Sequence, residues 1–371
     1  MDIPALNAIT TQVLWAAFLL SVVFGVIAQR THFCTMGAVS DIVTMGDWTR
    51  MRMWGMAIGV AMIGFYTLAA TGQIDPVKTL YASSRFIWLS ALTGGFLFGF
   101  GMVLASGCGS KTLVRIGGGN LKSVVVFFVM GIAAFATLKG ITAVVRVATV
   151  DRVAVDFSGN AALSNWLGSA VGLSASNAGL VLASVLGLGL VVWALSGRDF
   201  VRLDNLLAGL GIGAVIVAMW WVSGHLGYVA EHPETLQEAF LATNSGRAEA
   251  LSFVSPVAYT LDWVMFFSDK AKLLTIGIVS VVGVVAGSAL YALVTRSFRW
   301  EGFRDAKDTA NHLLGGALMG VGGVVAMGCT VGQGLSGIST LSLTSIVALA
   351  AIIAGCVAAL KYQLWQLERS A

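Results

Sequence analysis

An all-α membrane protein, with about nine crossing helices in two inverted repeats, is the fold class the sequence predicts. Three observations predict it. The 371 residues are 57% hydrophobic and 11% charged, with a mean hydropathy of +0.86, where soluble domains carry about a quarter charged residues. Uncharged runs of about 20 residues recur, the length that crosses the hydrocarbon layer as a helix. One motif also occurs twice, as Gly101-Met-Val-Leu-Ala105-Ser-Gly107-Cys108 and as Gly322-Gly-Val-Val-Ala326-Met-Gly328-Cys329. Both copies read G-x-x-x-A-x-G-C and both lead into a glycine-rich segment. A shared pattern at long separation marks an internal duplication.

The crossings follow in order. The first is expected at 11–29, because no charge lies between Ile3 and Gln29. It lacks a basic leader and a cleavage site, so it is expected to stay as a helix. Asp41 to Arg52 reads as a charged loop, followed by crossings at 53–72 and 86–107. The stretch from Cys108 to Leu121 is too rich in glycine for a plain helix and carries Lys111 and Arg115. A fourth crossing is expected at 123–145, where Lys139 near one end can snorkel to the interface. Arg146 to Ala175 reads as a loop, with crossings at 177–196 and 205–224 beyond it. The acidic stretch His225 to Glu249 has the look of an insertion outside the membrane. Ser255-Pro256 opens an apolar piece that ends at Phe267, too short to cross and suited to a half-helix. A seventh crossing fits 273–295. No ionised side chain falls between Leu313 and Leu360, which leaves room for crossings at 313–328 and 343–360 around the Cys329 segment.

Residues 1–150 and 205–371 then form the two halves, joined by 151–204, with the insertion at about 225–250. Of the 22 Lys and Arg, 14 fall on one side, including Arg30, Arg50, Lys111, Lys122, Arg202 and Arg299. Basic residues collect on the cytoplasmic side. The N-terminus is therefore expected outside and the C-terminus in the cytoplasm. On that topology the third crossing ends inward at Cys108 and the eighth ends outward at Cys329. Inverted repeats with helices broken near mid-membrane are the architecture of many transporters. Irregular backbone survives at that depth only when buried or lining a cavity.

Cys108 and Cys329 are the leading site residues. A lone intramembrane cysteine ordinarily packs as a small hydrophobe. Here the same residue ends the same motif in both halves, beside segments that cannot be ordinary helices. Cys34 sits in a third break, Phe33-Cys34-Thr35-Met36-Gly37, while Cys356 lies inside an apolar helix and reads as packing. A path lined by thiols suits a soft, weakly hydrated ligand, and helix N-termini after the breaks would favour an anion. Arg30, Lys111 and Arg115 are candidates for attracting that anion, although cytoplasmic-side placement alone accounts for them. No metal, cofactor or nucleic acid is expected. His32 and His312 have no partner set, and no carboxylate pair lies inside the spans for a proton relay.

Three segments together carry a resemblance. They are Gln29-Arg30-Thr31-His32-Phe33-Cys34-Thr35-Met36-Gly37 with Asp41, the motif at 101–108, and Gly315 to Gly320 with Gly328-Cys329-Thr330-Val331-Gly332-Gln333-Gly334-Leu335. In this order and over nearly the whole chain, the sequence resembles the YeeE/YedE family of sulfur-compound transporters. The resemblance implies a permease in a bacterial inner (plasma) membrane that imports thiosulfate or a related small sulfur anion. It also implies that Cys34, Cys108 and Cys329 line the path. A cytosolic sulfur carrier of the TusA type is the implied partner. The alternatives are a selenium compound as cargo, or a membrane thiol oxidoreductase built on the same cysteines.

Overall fold

A computed structural model describes residues 3–157, 159–172 and 174–370. The first half runs α1 (Ile3–Arg30), α2 (Thr35–Met45), α3 (Thr49–Ala70), α4 (Trp88–Leu104), α5 (Gly109–Gly117) and α6 (Leu121–Lys139). Next come α7 (Ile141–Ala148), still within 1–150, and then α8 (Leu163–Val171) and α9 (Ala175–Leu195) within 151–204. The second half starts with α10 (Leu203–Leu206) and α11 (Ile212–Trp221), which wider π turns join into one stretch, Leu203–Leu226. It continues with α12 (Val254–Met265), α13 (Ile276–Val294), α14 (Ala306–Val325), a short helix at 330–339, and α15 (Leu343–Ser370). Strands are confined to two-residue pairs: β1 (Arg85–Phe86) with β2 (Val155–Asp156), and β3 (Tyr228–Val229) with β4 (Ala239–Phe240).

Among the described residues, eight helical stretches are long and apolar enough to cross a membrane. The chain is a multi-pass, all-α membrane protein. The remaining expected crossing, 313–328, appears as α14, whose opening turns carry Lys307, Asp308 and His312 and so dilute its apolar character. The fourth crossing stops at Lys139 rather than at 145, because Gly140 takes an extended conformation and starts a new helix, α7. The expected loop at 146–175 contains α8 and β2, since apolar residues there find helical and strand partners. The stretch from Cys108 to Leu121 is also helical in its first part, and Gly119 (φ 97°) makes the turn that ends it. The segment expected as an insertion, 225–250, holds the β3–β4 hairpin, whose Val229 and Phe240 are buried. Its end returns to the core, where Ala248 bonds Lys78 and Leu80 through the backbone and Leu251 is buried.

Glycine sets how closely the helices approach. Lipid offers no hydrophobic drive between apolar helices, so close van der Waals packing over small residues holds them together. A Cβ placed on Gly101 of α4 would stand 2.8 Å from the Gly315 carbonyl of α14, and one on Gly315 would stand 2.6 Å from the Gly101 carbonyl. Gly94 and Gly322 crowd each other's backbones in the same reciprocal way. Advancing from Gly94 to Gly101 on α4 thus means retreating from Gly322 to Gly315 on α14, so the two helices are antiparallel. Their flanks match too. A Cβ on Gly99 would come within 2.9 Å of the Cys356 amide in α15, and one on Gly320 within 2.9 Å of the Ala134 amide in α6.

Candidate functional site

Each of the three cysteines follows a break of one design. His32, Ser106 and Met327 have φ values of 52°, 57° and 57°, and each lies two residues before a cysteine. A side chain in this left-handed region costs on the order of 1–3 kcal/mol, and such residues cluster where geometry serves function. Behind them, Gly107 N–H bonds the Met102 carbonyl at 2.8 Å and Gly328 N–H bonds the Gly323 carbonyl at 2.7 Å. That six-residue loop is the bond pattern that closes a helix C-terminus. The chain then turns into a new helix with the cysteine as its N-cap. The carbonyls of Cys34, Cys108 and Cys329 accept from Ala38, Thr112 and Gln333 at 3.0, 2.9 and 2.7 Å. The thiols therefore sit at the positive ends of three short helices, where partial charge favours an anion.

A fourth short helix completes the set. Phe253 is the N-cap of α12, and its backbone N–H faces the Cys329 sulfur. Gly332 N–H also donates to that sulfur at 3.4 Å. The thiols of Cys34 and Cys108 are neighbours, and Cys108 in turn faces the Thr330 hydroxyl. Ser110 Oγ lies 3.3 Å from Cys108 Sγ. Gly109, just past Cys108, packs on Phe253 and Val254. Four helix N-termini thus meet at one buried point.

Two cavities approach this point. The wider, 540 Å³, is lined by Cys34, His32, Arg50, Ser106, Lys111 and Arg115, together with Asp41 and Asp47. Arg50 Nε holds the buried Asp41 carboxylate at 2.7 Å, which cancels that negative charge. The narrower, 230 Å³, is lined by Glu249, Ser252, Tyr259, Ser280, Met327 and Arg146 among others. Cys108 and Cys329 are both 0% exposed and line neither cavity.

The structure brings Cys34, Cys108, Cys329, Lys111 and Arg115 together. Arg30 is directed elsewhere, bonding Asp204 at 2.8 Å. Cys356 is buried in α15 against Gly99. Among the described residues no group of three metal-ligating side chains occurs. Sequence reasoning missed Thr330, Thr35, Phe253, Gln333 and Glu249. Gln333 braces the second break, donating to the Ala326 carbonyl at 2.6 Å and accepting from Ser345 at 2.5 Å. A repeated dipeptide, Cys34-Thr35 and Cys329-Thr330, was the available signal for the threonines.

The sequence pattern of the family described as Sulphur transport matches residues 30–358, most of the chain. The chain belongs to the sulphur transport family. It is similar to the thiosulfate transporter TsuA of Escherichia coli K12, with 28% identity over 84% of this chain and 83% of that protein. It is similar also to the thiosulfate transporter TsuA of Spirochaeta thermophila, with 27% identity over 90% of this chain and 93% of that one. A shorter likeness, 31% identity over 30% of this chain and 26% of the relative, is to the probable transporter YedE of E. coli K12. The family resemblance read from the motifs holds. The transporter is not an enzyme, which removes the oxidoreductase alternative.

Proposed function

We propose that this transporter imports thiosulfate, passed without covalent change along Cys329, Cys108 and Cys34. The observation that carries the reading is the meeting of three cysteine-capped helix N-termini between two cavities. Thiosulfate is a small dianion with one soft terminal sulfur. Thiol S–H groups are weak donors matched to such an atom. Each helix N-terminus adds roughly 0.3–1 kcal/mol for an anion, more where water is scarce. No single contact is strong, which suits a substrate that must also leave. The relatives named as thiosulfate transporters support the same cargo.

The inverted repeat belongs to this proposal. The motif offset that carries Gly94 to Gly315 also carries Gly101 to Gly322. Each glycine therefore packs against the counterpart of the other. That is how a two-fold axis through the α4–α14 crossing would act. Residues 1–150 and 205–371 are then the two halves, with 151–204 between them. The basic residues favour a bacterial inner membrane orientation with the N-terminus outside and the C-terminus in the cytoplasm. The wider cavity then opens inward, its Lys111 and Arg115 drawing the anion onward to Cys34. A TusA-like carrier would receive it there. Growth of a thiosulfate-uptake-deficient bacterium on thiosulfate as sole sulfur source tests the function. Restored growth is expected, and failure to restore it by the inserted protein would reject the substrate.

A further inference from the structure

Several buried hydroxyls in this protein turn back onto their own helix, and others bond a side chain or a distant carbonyl, as Ser90, Ser336 and Ser345 do. Ser21, Thr31, Thr112, Thr137 and Thr260 each bond the carbonyl four residues earlier, at 2.7–3.0 Å. Among the described residues, three buried hydroxyls make no hydrogen bond of ordinary geometry: Thr35, Thr330 and Ser280. They are 2%, 0% and 1% exposed. A buried polar group without a partner is costly and calls for an explanation. For the threonines the local reason is position. Each is the first residue after its N-cap cysteine, where no helical carbonyl lies four residues behind. For Thr330 the fourth residue back is Ala326, whose carbonyl is already engaged by Gln333. Ser280 has no such reason, because it lies inside α13 with the Ile276 carbonyl in place behind it.

Their placement supplies the explanation. Ser280 lines the narrower cavity together with Met327, two residues before Cys329. Thr330 follows Cys329 and faces the Cys108 thiol. Thr35 follows Cys34, which lines the wider cavity. A buried hydroxyl without a hydrogen bond thus lines the narrower cavity, one faces Cys108 and one follows Cys34. We infer that Thr330, with Ser280 before it and Thr35 after it, donates hydrogen bonds to the oxygen end of the transported anion while the thiols receive its sulfur end. This rests on the thiosulfate path proposed above. It assigns the hydroxyls a separate task, the recognition of an oxygen-bearing sulfur anion. An oxyanion accepts strongly from O–H donors, and such charge-assisted bonds exceed neutral ones. The hydroxyls lose their unsatisfied state only when the anion is present.

The test compares Thr330→Val, which keeps the shape and removes the donor, with Thr330→Ser, which keeps the donor. Thiosulfate affinity is read from the ligand-induced shift in thermal midpoint of purified protein, and KM from uptake into proteoliposomes. A merely structural hydroxyl, lacking a partner, would leave both unchanged. The expected result is that Thr330→Val melts no lower than wild type without ligand, yet binds thiosulfate roughly 10-fold or more weakly. Thr330→Ser should bind within a few-fold of wild type. Wild-type affinity in Thr330→Val would overturn the inference while leaving the path intact. Absence of any thiosulfate response in the wild type would overturn the path itself and the inference with it. Should Thr330→Val fail to fold, Thr35→Val carries the same expectation and the same contradiction.

Discussion

The Cys108 thiol faces the Thr330 hydroxyl with no hydrogen bond of ordinary geometry between them, so the cysteine of the first half neighbours the residue that follows the cysteine of the second. Two breaks that are 221 positions apart in sequence therefore share one wall. The contact exists because α4 and α14 cross over glycine. Their bare backbones let the ends of both helices, and the turns beyond them, approach the same depth.

That crossing should tolerate no added atoms. Gly101→Ala would place a methyl 2.8 Å from the Gly315 carbonyl, in backbone that cannot swing aside. Overpacking of this kind costs about 1–3 kcal/mol. Gly189→Ala is the control, since nothing stands within 4 Å of its Cβ position. The Gly101 variant should lose thermal stability in detergent, and the Gly189 variant should match or exceed wild type. Equal melting of the two would show that α4 and α14 are not so closely packed.

Glu249 should make stability depend on pH. Burial pushes its carboxyl up from 4.5 to about 7, against hydrogen bonds from Ser245 and the backbone N–H groups of Asn244 and Ser245. Tyr81, Tyr259 and Arg146 are the other titratable groups around it. The folded state binds this proton more tightly than the unfolded chain does. The stabilisation is therefore complete below about pH 4.5 and is lost as pH rises through about 7. Its full size is on the order of 3 kcal/mol. In Glu249→Gln the fall in Tm between about pH 5 and 8 should flatten. A fall as steep as that of wild type would assign the pH dependence to another group.

Cys356 should be separable from the other three cysteines. It is buried in α15 where Gly99 approaches, with no helix break near it. Cys356→Ala removes one buried atom and should cost on the order of 1 kcal/mol, with uptake unchanged. Loss of uptake by a fully inserted Cys356→Ala protein would place a fourth thiol on the path.

Orientation has its own check. Reporters attached beyond α15 and within the β3–β4 hairpin should fall on opposite sides of the membrane, cytoplasmic and external respectively. Finding both on one side would break the inverted arrangement.

Much of this was legible in the sequence because membrane helices announce themselves by length and lack of charge. The crossings read at 11–29, 53–72, 177–196 and 273–295 each fall mostly within one helix, α1, α3, α9 and α13, because a long uncharged run is what such a helix needs. The repeated Gly-Cys motif also located two of the breaks. Other features depend on contacts that no local pattern carries. Arg30 had the composition of an anion-attracting residue but met Asp204, 174 positions away, instead. Phe253 has no resemblance to cysteine, yet as an N-cap it holds for α12 the place Cys34 holds for α2. Left-handed His32, Ser106 and Met327 are ordinary residues whose conformation is imposed by the helices on either side. Thr330 is distinguished from other threonines only by its place in the fold, where its hydroxyl is buried without a bond.

The most direct test of the cysteine path is accumulation of labelled thiosulfate in proteoliposomes containing wild type, Cys34→Ala, Cys108→Ala or Cys329→Ala. All four proteins should be inserted to the same level, since each change removes one small buried sulfur and costs on the order of 1 kcal/mol. The account predicts accumulation by wild type, reduced accumulation by Cys34→Ala, and background levels for Cys108→Ala and Cys329→Ala. Wild-type accumulation by Cys108→Ala and Cys329→Ala would contradict it.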